Sequence, residues 1–111
     1  MEISYEDFRK VKILVGTIIA VRNNEKARQP ALVLEIDFGE AIGVKTSSAK
    51  ITHYYNKNNL TGMQVIAVCN FPAKNIAGIV SEVLILGAVG NDGKVVLLHP
   101  TKKVENGLTV Y

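Results

Sequence analysis

The sequence predicts an all-β fold: a five-stranded barrel with a short helix between strands three and four and a further helix at the N-terminus. Short alternating apolar segments recur along the 111 residues, turn residues divide them at close spacing, and no linker or repeat interrupts the series. The length suits one core, so residues 1–111 are read as a single domain.

The opening helix rests on Ser4 and Asp7, which approximate a capping box, with acidic residues in the first turn and Arg9 and Lys10 after them. Tyr5 and Phe8 lie one turn apart and share a face that needs covering by the barrel or by a second subunit. Ile13 to Val21 reads as a strand with Ile13, Val15, Thr17, Ile19 and Val21 on one side and Leu14, Gly16, Ile18 and Ala20 on the other. Both sides are largely apolar, so both are expected to be covered.

Arg22 to Glu25 is a polar turn, and Ala31 to Phe38 alternates with Leu32, Leu34, Ile36 and Phe38 inward. After Gly39-Glu40 a third short strand is expected around Ile42 to Thr46. Ser47 and Ser48 then offer N-cap hydroxyls for a helical piece running toward Tyr55 and closed by the asparagine cluster Asn56 to Asn59. Met63 to Asn70 and Val80 to Leu86 are the next strands, joined by the loop Phe71 to Gly78. Gly90-Asn91-Asp92-Gly93 has hairpin chemistry, and the apolar tail Leu108 to Tyr111 is expected to dock. A helix between strands three and four of a small barrel is the layout of an OB-fold.

Composition narrows the functional classes. Hydrophobic residues make up 48% and charged residues 21%, a folded rather than disordered profile. No stretch approaches the ~20 apolar residues of a membrane span, and Glu2, Glu6 and Asp7 do not suit a secretory signal, so no membrane insertion and a cytoplasmic location are expected. The lone Cys69 cannot form an intrachain disulfide, and its apolar neighbours predict a small buried hydrophobe. The net charge is +3, and no acidic residue falls between Glu40 and Glu82, where Lys45, Lys50, Lys57 and Lys74 stand. A field of one sign attracts phosphate, although a solvated face has the same composition.

Signatures of catalysis are nearly absent, and neither an enzyme nor a cofactor is predicted. His53 and His99 stand alone without Cys or carboxylate at a metal-ligand spacing, and Ser47 and Ser48 lack a nucleophile-elbow pattern. Gly39 to Thr46 imitates a phosphate-binding loop, but its second glycine is one position early and its Lys-Thr pair falls at a strand. Binding surfaces remain. Arg28, Lys45, Lys50 and Lys74 would neutralise phosphates, while Tyr54 and Tyr55 would either stack bases or pack a barrel end. Ser81 and Glu82 could hydrogen-bond a base or sugar edge, or simply follow strand alternation.

Lys26-Ala27-Arg28-Gln29-Pro30-Ala31, Ile36-Asp37-Phe38-Gly39 and Ile42 to Thr52 resemble the CsaA family, as do Gln64 to Pro72 and Ile76 to Leu84. These collinear segments span nearly the whole chain. The resemblance implies an OB-fold of tRNA-binding ancestry, a homodimer, and an ATP-independent chaperone for unfolded or export-bound polypeptides; the alternative is a tRNA-binding protein without a chaperone role. In the wider group, the loop after the Asn-x-Pro segment and a following Ser-Glu pair contact tRNA, which implies Lys74, Asn75, Ser81 and Glu82 here. The expected nucleic-acid face is thus Arg28, Lys45, Ser47, Ser48, Lys50, Lys74, Asn75, Ser81 and Glu82. The expected polypeptide or dimer face is Tyr5, Phe8, Phe71, Pro72, Val110 and Tyr111.

The chain also departs from the wider pattern. Lys12-Ile13-Leu14-Val15-Gly16 lacks the acid and arginine of the usual Asp-Ile-Arg-Val-Gly opening. Only Lys74 remains in a loop that elsewhere carries two or three basic residues. Each lost phosphate contact lowers affinity and flattens its salt dependence.

Overall fold

Strand β1 (Ile13–Asn23) is the spine of the molecule, which a computed structural model describes over residues 1–111. It pairs antiparallel with β2 (Leu32–Asp37) on one side and β4 (Gln64–Val68) on the other. Strand β3 (Val44–Ala49) extends the sheet beyond β2, and β7 (Leu84–Ile85) extends it beyond β4, giving the order β3-β2-β1-β4-β7. The sheet curls into a nearly closed OB-type barrel. Its inner face gathers Leu14, Ile18, Leu34, Ile36, Phe38, Val65 and Ala67 into the main core. Gly16 belongs to that packing: a methyl there would lie 2.7 Å from Ile36 Cγ2 and from the Phe38 ring.

The inward set of β2 is as the alternation predicts. That of β1 is not, because a bulge lies between Ile18 and Ala20. The extra residue, Ile19, is half exposed, and Val21 joins Leu14 and Ile18 in the core rather than Ile13 on the outer face. An inserted residue reverses the facing of everything after it. Ile13, Val15, Ile66 and Val68 form a second, outer cluster, against which Phe8, Leu86, Val104 and Val110 pack. The double covering predicted for β1 therefore holds for its first half.

Helix α1 (Tyr5–Arg9) has the reciprocal Ser4–Asp7 capping box. The tail is docked as predicted: Val15 N–H donates to Leu108 O, and Val110 N–H to Ile13 O, at 3.0 and 2.9 Å. Tyr111 itself remains exposed.

Two boundaries move. The third strand runs on to Ala49, so Ser47 and Ser48 lie in it and cap no helix. The helix between strands three and four is α2 (Lys57–Leu60), capped by Asn56, whose Oδ1 accepts from the N–H groups of Asn58 and Asn59. The asparagine cluster thus starts this helix instead of closing one. The stretch read as a single loop contains β5 (Lys74–Ile76), and the strand expected over Val80 to Leu86 is divided into β6 (Ile79–Ser81) and β7. β5 and β6 form a hairpin turned by Ala77 and Gly78, both at positive φ (49° and 85°). The hairpin expected at Gly90 to Gly93 is present and its second strand is β9 (Val95–Leu97), but its first strand is β8 (Gly87–Val89) and not the segment Val80 to Leu86.

Candidate binding cleft and basic loops

The seam between β3 and the chain after β6 closes the barrel and positions the candidate site. Glu82 N–H donates to Thr46 O at 2.7 Å, while Thr46 N–H donates to Glu82 Oε1 at 3.1 Å. Lys45 Nζ stands 3.7 Å from Glu82 Oε2. Two residues on, Ser48 N–H donates to Ser81 Oγ at 3.1 Å, and the buried Ser47 hydroxyl donates to Val83 O at 3.1 Å. The polar residues of β3 face a break in the strand after β6, so side chains complete bonds that a continuous ladder would have made. This reciprocity explains why β3 carries Thr-Ser-Ser where a barrel strand usually carries β-branched apolar residues.

Beside the seam, the β5–β6 hairpin and the chain flanking it enclose a cleft of about 470 Å³. Phe71, Pro72, Ile76, Val83 and Leu84 supply its apolar wall, and Lys74, Ser81 and Glu82 its polar members. Phe71 and Leu84 are 53% and 50% exposed. A cleft of this size accommodates a few side chains or one extended segment. Its carboxylate is already engaged by Thr46 and Lys45, while Lys74 has no carboxylate within ion-pair distance. The cleft therefore presents apolar surface with one free cation at its rim.

The residues singled out in the sequence fall into four groups. Phe71, Pro72, Lys74, Ser81 and Glu82 meet in this cleft, joining residues expected on separate polypeptide and nucleic-acid faces. Ser47, Ser48 and Lys45 belong to the adjoining seam, and Asn75 stands on the hairpin, its Oδ1 accepting from Gly78 N–H at 3.1 Å. Lys50 and Arg28 are exposed elsewhere, Lys50 just after β3 and Arg28 on the β1–β2 loop. Tyr5, Phe8, Val110 and Tyr111 line a different groove of about 220 Å³ where the two chain ends meet. Sequence reasoning missed Ile76, Val83 and Leu84, whose share in the cleft follows from a hairpin in a segment read as a loop.

Of the remaining candidates, Tyr55 and the Gly39–Thr46 segment have structural roles. Tyr55 Oη accepts from Leu97 N–H at 2.8 Å and its ring packs on the main core, so it seals a barrel end; Tyr54 is exposed. Gly39 to Gly43 is a turn preceding a strand, which leaves Lys45 and Thr46 without the helix a phosphate-binding loop requires. Burial pushes the Cys69 thiol above its ordinary value, against the opposing fields of Lys12 and Lys45. No group of three or more His, Cys, Asp or Glu converges to hold a metal, and no helix is long and apolar enough to cross a membrane.

A nearly closed five-stranded barrel with a cleft beside its seam has the architecture of an OB-fold. The family model described as "Putative tRNA binding domain" matches residues 13–109, and the chain belongs to that family. Its fold superposes on the chaperone CsaA of Bacillus anthracis with a TM-score of 0.95 at 45% identity, covering 100% of both chains. For the CsaA chaperone protein of Picrophilus torridus the TM-score is 0.91 at 47% identity, over 99% of this chain and 100% of that one. The chain is also 32% identical over 108 residues to a methionine–tRNA ligase of Bacteroides fragilis, covering 97% of this chain and 16% of the ligase. It thus spans about a sixth of the length of the curated relatives it matches.

Proposed function

We propose that this CsaA-like protein is a homodimeric, ATP-independent chaperone that holds unfolded or export-bound polypeptides, acting in the cytoplasm. The observation that carries the reading is the cleft: Phe71 and Leu84 expose half their surface beside a rim with an unpaired Lys74. Unfolded segments offer apolar side chains with scattered charge, which is the complement of such a surface. Two structures of CsaA chaperones that match over essentially the whole chain support it further.

The dimer part rests on the groove at the chain ends. Tyr5 is 65% exposed and Tyr111 89%, beside Phe8 and Val110, which already pack on the outer cluster. Covering such surface stabilises association at about 25 cal/mol per Å² before its entropic costs. Light scattering coupled to size-exclusion should give twice the chain mass at micromolar concentration; a monomer would remove this part.

The chaperone part is tested by aggregation of a chemically unfolded client without ATP. Suppression near one client per dimer is expected. Unchanged aggregation at several-fold excess of the protein would contradict it.

A tRNA-binding role is the second reading. Membership of the tRNA-binding domain family favours it, as does the absence of any carboxylate partner for Arg28, Lys50 and Lys74. It predicts tRNA affinity that falls linearly with the logarithm of salt concentration.

A further inference from the structure

The loop between β1 and β2 and the β5–β6 hairpin are distant in sequence and joined in space. Asn24 makes the join. Although polar, it is 8% exposed, and all four of its polar groups are engaged. Its N–H donates to Ala31 O at 3.0 Å and its carbonyl accepts from Ala27 N–H at 3.3 Å, closing the loop on itself. Its side-chain Oδ1 accepts from Lys26 N–H at 3.2 Å, and its Nδ2 donates to Ile76 O on the hairpin at 3.4 Å. Lys26 is the second element of the join. Its side chain lies along Gly78 at the hairpin turn, where an added methyl would come within 3.2 Å of Lys26 Cδ and 3.7 Å of Nζ. A glycine at that turn is required by its φ of 85°, and it also leaves the lysine its place.

Lys26 is exposed and, like Arg28 and Lys74, has no carboxylate within ion-pair distance. Glu25 is the one acid on the loop, against Lys26 and Arg28. Gly78 stands at the turn and Lys74 at the far end of the hairpin, four residues and at most about 13 Å apart, so Lys26 and Lys74 can engage different phosphates of one backbone.

We propose that Lys26 is a nucleic-acid phosphate contact, and that Asn24 is the positioning residue that holds it in register with Lys74 by locking the loop to the hairpin. This rests on the tRNA-binding reading and supplies one cation that the hairpin itself lacks. A jaw assembled before binding spares the ordering cost that two independent loops would incur.

The test is tRNA affinity measured across a salt series on the full chain. Lys26→Met keeps the aliphatic stem and removes the charge, and should lower the slope of log affinity against log salt by about 0.7–0.9. Asn24→Asp retains the acceptor for Lys26 N–H and removes the donor to Ile76 O. It should weaken binding roughly five- to tenfold at fixed salt and shrink the further loss caused by Lys26→Met in the double variant. A purely structural asparagine would leave the Lys26→Met loss unchanged in that background. Lys26→Met lies on an exposed side chain, so it decides the contact whatever Asn24→Asp does to folding. A wild-type chain that fails to bind tRNA at low salt overturns the reading beneath the proposal. A wild type that binds, with the Lys26→Met slope unaltered, overturns the proposal alone, as does loss of unfolded-polypeptide binding in place of tRNA binding.

Discussion

The barrel interior and the cleft beside it are made from the same kinds of residue and treat water in opposite ways. Leu34, Ile36 and Val65 are fully buried between strands whose ladders fix them. Phe71 and Leu84 stand half exposed on short strands and turns held by a few side-chain bonds. Apolar surface in the interior stabilises the fold, whereas apolar surface in the cleft is left for a ligand. Substitutions in the two places should therefore separate stability from binding.

The largest expected effect is Leu34→Ala, which leaves a cavity in the main core and should cost about 2–5 kcal/mol by denaturant unfolding. Gly16→Ala tests the same core from the other direction. With Ile36 and Phe38 at 2.7 Å from the new methyl, overpacking should cost about 1–3 kcal/mol, and a neutral result would mean that the barrel wall yields there. Asn56→Ala removes the cap of α2 and should cost about 1 kcal/mol in the same measurement. At the small end, Cys69 should alkylate more slowly in the folded protein than in the denatured one at equal pH. The reason is that burial raises its pKa and depletes the reactive thiolate. Equal rates would show that the outer end of β4 opens freely.

The contrast also explains what could be read from the sequence. The inward set of β2 was legible because each of Leu32, Leu34, Ile36 and Phe38 alternates with a residue of the other face. The facing of Val21 was not, since a bulge at Ile19 is set by pairing with β2 and leaves no local mark. Ser47 and Ser48 imitate helix caps because a hydroxyl suits both a helix start and a strand seam, and only the partners Val83 and Ser81 distinguish the two. The β5–β6 hairpin was hidden because its turn uses Ala77-Gly78, with a non-glycine residue at positive φ where asparagine or aspartate is the usual signal. Phe71, Pro72, Lys74, Ser81 and Glu82 were legible as candidates, but that they share one cleft follows from the hairpin and the seam together.

The most direct measurement of the division between scaffold and cleft pairs two readings on Phe71→Ser: thermal midpoint and suppression of client aggregation without ATP. Phe71 is 53% exposed and outside both core clusters. The midpoint should stay within a few degrees of wild type, while suppression falls severalfold. Suppression equal to wild type at an unchanged midpoint would contradict the assignment of the cleft as the polypeptide-binding site.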